Sequence, residues 1–173
     1  MAHQFYFAYG SNLDFNQMAQ RCPGAEYLGA ATLSNHELRM DGAGYATVVP
    51  APGSHVQGAL WDLSQANVQN MDRFEGVADG CYQKALVSVR YEGDRRPGHK
   101  DGFQNVYAYG EDDAVGVQID ALIYLSIRPP FVNYTFRADY LQKVRRGAIR
   151  NGLDQTTRAQ LSAIAVASET AIA

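Results

Sequence analysis

The pattern that most restricts how this chain can fold is a run of short, alternating strand-like segments cut by glycine, proline and asparagine. Only three or four helical stretches separate them. Residues 4–9 read as a strand, with Phe5, Phe7 and Tyr9 on one face and Tyr6 and Ala8 on the other. Gly10 breaks it, and Asp14 fits the N-cap of a short helix that Pro23-Gly24 ends. Strand-like pieces follow at Tyr27–Leu33, Leu38–Asp41 and Ala46–Val49; Pro50, Pro52 and Gly53 mark a turn before a strand over Val56–Leu63. Ser64 caps a helix running to about Glu75, with Gly76 in the stop position and Leu63 and Val68 placed as a hydrophobic staple. Tyr82–Tyr91 alternates again, with Ala85, Val87, Val89 and Tyr91 on its apolar face. Residues 92–104, rich in glycine, proline and charge, read as an exposed loop. Strands are expected near 105–109 and 118–125, a helix over about 136–151 ended by Gly152, and an alanine-rich helix over roughly 156–168. Such an order predicts an α+β domain around one curved or closed sheet; periodicity leaves its closure open.

At 173 residues, with 46% apolar and 19% charged side chains, the chain has the length and balance of one globular domain. The expectation is a single domain over 1–173, with 154–173 a peripheral C-terminal helix. A net charge of −3 argues against a nucleic-acid binder. No run approaches the roughly 18 apolar residues of a membrane span, and the start lacks the basic flank of a signal peptide, so a cytoplasmic address is expected. Cys22 and Cys81 read as free thiols, and the four histidines show no metal-ligand spacing, so no metal is expected.

Three places carry candidate chemistry. The turn Tyr9-Gly10-Ser11-Asn12-Leu13 brings successive N–H groups, a hydroxyl and an amide to the start of a helix, where an anion can be cradled. A plain capped strand-to-helix turn reads the same way. Glu75 shares a helical stripe with Val68 and Met71, so its carboxylate ends an apolar face at the negative end of the helix dipole. Burial and dipole would both raise its pKa and suit it to proton transfer; a side chain swung out at a frayed end would do neither. Tyr140 falls on an inward stripe with Phe136, Val144 and Gly147. Tyr82 alternates with Lys84, Ser88 and Arg90, away from the apolar face. The basic side chains Arg137, Lys143, Arg145, Arg146 and Arg150 read as a solvated helix face, and the sequon at 133–135 carries no role without export.

Taken together, Phe5-Tyr6-Phe7-Ala8-Tyr9-Gly10-Ser11-Asn12-Leu13 resembles the opening signature of the γ-glutamylcyclotransferase family, in the branch with the AIG2-like and γ-glutamylamine enzymes. A second block resembles that family's segment around its catalytic glutamate: Pro52-Gly53, Val56, Gly58, Leu60-Trp61, then Met71-Asp72-Arg73-Phe74-Glu75-Gly76-Val77 and Tyr82. Tyr140, Gly147-Ala148 and Asn151-Gly152-Leu153 form a third. The resemblance implies a closed mixed, mostly antiparallel β-barrel flanked by helices. It also implies attack of a substrate's α-amine on its own γ-glutamyl carbonyl, giving 5-oxoproline and a free amino acid or amine. It assigns Glu75 as general base and acid, and Tyr9, Gly10, Ser11, Asn12, Leu13, Tyr82 and Tyr140 to the substrate, a small γ-glutamyl compound, with no cofactor. Arg150 and Asp154 depart from the family pattern, and Asn12 stands where the glutathione-specific relatives carry leucine, which points away from glutathione. A pathway-specific enzyme removing a γ-glutamyl protecting group, and a non-catalytic binder of such a metabolite, are the alternatives.

Overall fold

The computed structural model describes residues 3–92, 106–107, 116–131 and 138–170. Strand β1 (His3–Ala8) leads through a 3₁₀ turn (Ser11–Leu13) into helix α1 (Phe15–Arg21), where Asp14 accepts from the Gln17 N–H as the expected cap. Two long strands follow, β2 (Glu26–Asp41) and β3 (Ala46–Ser64), then α2 (Gln65–Phe74) and β4 (Tyr82–Tyr91). The chain closes with β5 (Val106–Tyr107), β6 (Val117–Ser126), β7 (Pro130–Phe131), α3 (Ala138–Arg150) and α4 (Gln155–Thr170). The loop expected at 92–104 beyond Glu92, the sequon, and the first residues of the helix expected from 136 lie outside the described residues, as do all but two of 105–109.

The strands run β1-β3-β2-β4-β6 by antiparallel pairing, and β6 returns to β1 through a parallel contact, Tyr6 opposite Leu122. The result is the closed, mostly antiparallel five-stranded barrel implied by the resemblance, with four α-helices against it among the described residues. Closure removes the free edges that an open sheet of this composition would expose. Phe7, Leu60, Val56, Ile119 and Ile123 fill the interior with no exposed surface.

The pieces expected between 27 and 63 correct to two continuous strands. Pro50, Pro52 and Gly53 do not reverse the chain; they form an irregularity in β3 opposite Asn35, where the register jumps between Ser34 and His36. The Gly53 N–H donates to Asn35 Oδ1 at 3.1 Å, so the breakers bend a paired ribbon while it stays paired. The reversal lies at 42–45, where the fully buried Asp41 accepts the N–H groups of Ala43 and Tyr45. α4 docks on this ribbon through Thr157 and Gln160, which take up the N–H groups of Gln57 and Leu38. No helix of the described residues is long and apolar enough to cross a membrane.

Candidate active site

The 3₁₀ turn owes its place to α3. Leu13 is fully buried, its N–H donates to Gly10 O at 3.0 Å, and its carbonyl accepts from Asn151 Nδ2 at 2.9 Å. A Cβ on Gly147 would lie 2.5 Å from Leu13 Cβ and 2.6 Å from its carbonyl carbon, so only glycine lets α3 approach this closely. Arg146 holds Asp14 through Nε at 2.7 Å and keeps that carboxyl below its usual range, against the pull of burial. The basic face of α3 is therefore more than solvated surface: Arg146 clamps the start of α1, Arg150 lies 4.4 Å over the Phe15 ring, and Lys143 borders a cavity.

That cavity, about 580 Å³, opens where the turn, α2 and the barrel wall meet. Tyr9, Gly10, Ser11, Asn12, Glu75, Tyr82 and Tyr140 all border it. Leu13, expected with them, does not; its side chain is the peg that fixes the turn against α3. The expected cradle of N–H groups is correspondingly smaller, since those of Leu13 and Asp14 are spent inside the turn on Gly10 and Ser11.

Glu75 follows the last turn of α2 as its C-cap, with Val68 and Met71 buried on the same stripe. Its side chain is 14% exposed. Asn12 Nδ2 donates to Glu75 Oε1 at 3.0 Å and to Tyr6 Oη at 2.8 Å. Arg21 Nη1 lies 3.2 Å from the same Oε1 and 3.0 Å from Asn12 Oδ1, and Gln17 Nε2 fixes both Asn12 Oδ1 and Ser11 Oγ. Both donors to the acid converge on Oε1; among the described residues Oε2 takes none. Burial raises the Glu75 pKa, and Arg21 first and Asn12 second pull it back, leaving it above the ordinary value.

The tyrosines are held by backbone. Ala46 offers its N–H to Tyr140 Oη at 2.9 Å and its carbonyl to the Tyr82 hydroxyl at 3.2 Å, and Tyr9 donates to the carbonyl of Tyr124. Burial pushes the pKa of all three upward, so they stay neutral. Tyr82 reaches the cavity from the polar face of β4, the face on which strand alternation places it. It shares its face with Lys84, and Lys84 and the cross-strand Tyr124 both bond Asp72 of α2. At this end the outer face of the sheet is covered by α2 and the cavity, so the polar face is the site face. Sequence reasoning missed Arg21, Gln17 and Tyr6. Arg21 carries no local signal beyond that of a cation in the last turn of a helix, and its partner lies 54 residues away.

Fold and site define an α+β barrel protein with an acid-bearing cavity beside a glycine turn. Residues 6–125 match the family described as gamma-glutamyl cyclotransferase, AIG2-like, and the chain belongs to that family. It is 33% identical over 94 residues to the proteins named gamma-glutamylcyclotransferase of Bos taurus and Homo sapiens; the match takes in 49% of this chain and spans half the length of those relatives. A solved structure titled gamma-glutamyl cyclotransferase superposes with a TM-score of 0.70 at 25% identity, over 94% of this chain and 88% of that one. A yeast cyclotransferase structure titled as specific to glutathione shares the fold, with a TM-score of 0.66 at 12% identity, over 99% of this chain and 97% of that one.

Proposed function

We propose that the protein is a γ-glutamylcyclotransferase: it cyclises a γ-glutamyl compound to 5-oxoproline and releases an amino acid or amine. The observation that carries this reading is Glu75, a mostly buried carboxyl on a cavity wall, tied through Oε1 to the turn by Asn12. In this reading Glu75 Oε2 takes a proton from the substrate's α-ammonium, and the freed nitrogen attacks the γ-carbonyl carbon. The same carboxyl then gives a proton to the departing nitrogen as the amide C–N bond breaks, and the second proton shed by the ring nitrogen passes to the released amine, which leaves as an ammonium. Both reacting groups belong to one molecule, so folding the glutamyl chain supplies an effective concentration on the order of 10⁵–10⁸ M. Proton transfer by a positioned carboxyl adds about 10²–10⁴-fold.

Roles follow for the residues around it. Of the other N–H groups of the turn, that of Ser11 is turned to the Tyr140 hydroxyl; those of Gly10 and Asn12 receive the glutamyl moiety, and Tyr9, Tyr82 and Tyr140 wall it as neutral hydroxyls. Leu13 acts only through the turn it anchors. Nothing in the scheme calls for a metal, and among the described residues no cluster of His, Cys, Asp and Glu could hold one. Residues 1–173 act as one domain with 154–173 peripheral, and the reading is of a cytoplasmic enzyme on small molecules.

Incubation with γ-glutamyl amino acids and γ-glutamylamines should release 5-oxoproline, quantified by chromatography. Binding of these compounds without product from any would instead support a non-catalytic relative.

A further inference from the structure

The cavity has a second charged end, which the cyclisation scheme does not use. Arg128, two residues beyond β6, borders it with its side chain 36% exposed. Its guanidinium is held at both tips: Nη2 donates to Cys81 Sγ at 3.2 Å and Nη1 to Asp41 Oδ2 at 3.4 Å. The Asp41 carboxylate is already occupied by the N–H groups of Ala43 and Tyr45 and by the Ser126 hydroxyl at 2.7 Å, so its bond to Arg128 is the longest of the four. A fully buried anion thus fixes the arginine more than it consumes it. Two of the five N–H donors of the guanidinium are engaged this way among the described residues.

Its neighbours along the cavity set it apart. Arg21 is committed to Glu75, and Arg73, Lys143, Asp79 and Asp139 border the cavity as exposed side chains. Glu75, Tyr82 and Arg128 border the same cavity, so the candidate proton carrier and the fixed guanidinium face one continuous space. A γ-glutamyl amino acid carries a carboxylate on the carbon next to its departing nitrogen, and a γ-glutamylamine carries none. A rigid guanidinium fork matches a carboxylate with two parallel hydrogen bonds.

We propose that Arg128 reads the leaving group, favouring a departing amine that bears a carboxylate beside its nitrogen. This rests on the cyclotransferase reading and sharpens it.

γ-Glutamylalanine and γ-glutamylethylamide test it, because they differ in that one carboxylate. The wild-type protein should favour γ-glutamylalanine by about tenfold or more in kcat/KM, mostly through KM, the scale of a charge-assisted hydrogen bond. In Arg128→Gln the ratio between the two should fall to within about threefold of one, and Arg128→Lys should keep part of it. Equal use of both compounds by the wild type would overturn the proposal. So would an Arg128→Gln protein that loses the same factor on both, since that is the mark of a residue that only holds Asp41 and Cys81. Absence of 5-oxoproline from both compounds would instead sink the cyclotransferase reading on which the proposal stands.

Discussion

Glu75 is subject to opposing forces, and their balance has measurable signs. Because burial wins and its pKa is raised, kcat/KM should fall as pH drops through a value above the usual ~4.3 of a glutamate. Arg21 is the larger of the two restraining influences, so Arg21→Gln should move that acid limb to higher pH, while a uniform loss with an unmoved limb would leave Arg21 a packing residue. The same shift acts on stability. A carboxyl that binds its proton more tightly folded than unfolded favours the folded state at low pH, and stability is lost as pH rises from the unfolded value through the folded one. Glu75→Gln should therefore melt slightly above the wild type near neutral pH. The gap should narrow as pH falls toward ~4.3, as calorimetry across that range would report. A variant melting lower at every pH would mean that the carboxylate stabilises the fold rather than straining it.

At the scale of elements, the 3₁₀ turn and α3 form one unit. Gly147→Ala sets two effects against each other: alanine is the better helix former by about 1 kcal/mol, but its Cβ would meet the Leu13 backbone at 2.6 Å. Overpacking should win, with a loss of about 1–3 kcal/mol in denaturant melts and a rise in KM as the turn shifts. A stabilised variant with unchanged KM would show that the turn does not depend on this contact. Much at this scale is legible in the sequence: the Asp14 and Ser64 caps, the α2 stripe ending at Glu75, and the inward face of α3 all follow from local chemistry. The β2–β3 ribbon is not. Pro50 to Gly53 carry the same signal whether a chain turns or bends with a partner, and only the pairing across Asn35 decides. Tyr82 is the same lesson in reverse, because alternation fixes its face correctly but cannot say that α2 covers that face.

In the whole molecule, the candidate site is assembled from segments far apart in the chain. Asn12 and Glu75 are 63 residues apart, and Leu13 and Asn151 are 138 apart. Local signals carry no information on such contacts, which is why Arg21, Tyr6 and Arg128 could not be found from their own neighbourhoods, while Glu75 and the turn stand out locally as candidates and take their expected roles from a resemblance spread over most of the chain. Barrel closure through β1 and β6 brings the distant parts together, with the 3₁₀ turn following the strand that closes it. A ligand that fits this space should stabilise the whole fold by mass action, so saturating 5-oxoproline should raise the melting temperature of the wild type. An unchanged midpoint would argue against the cavity as the product site.

The measurement that bears most directly on the account is the yield of 5-oxoproline and free amine from one γ-glutamyl substrate, wild type beside a folded Glu75→Gln. The two products should appear in equal amounts from the wild type, and turnover should drop at least about 100-fold in the variant. Near-wild-type turnover by Glu75→Gln would contradict it.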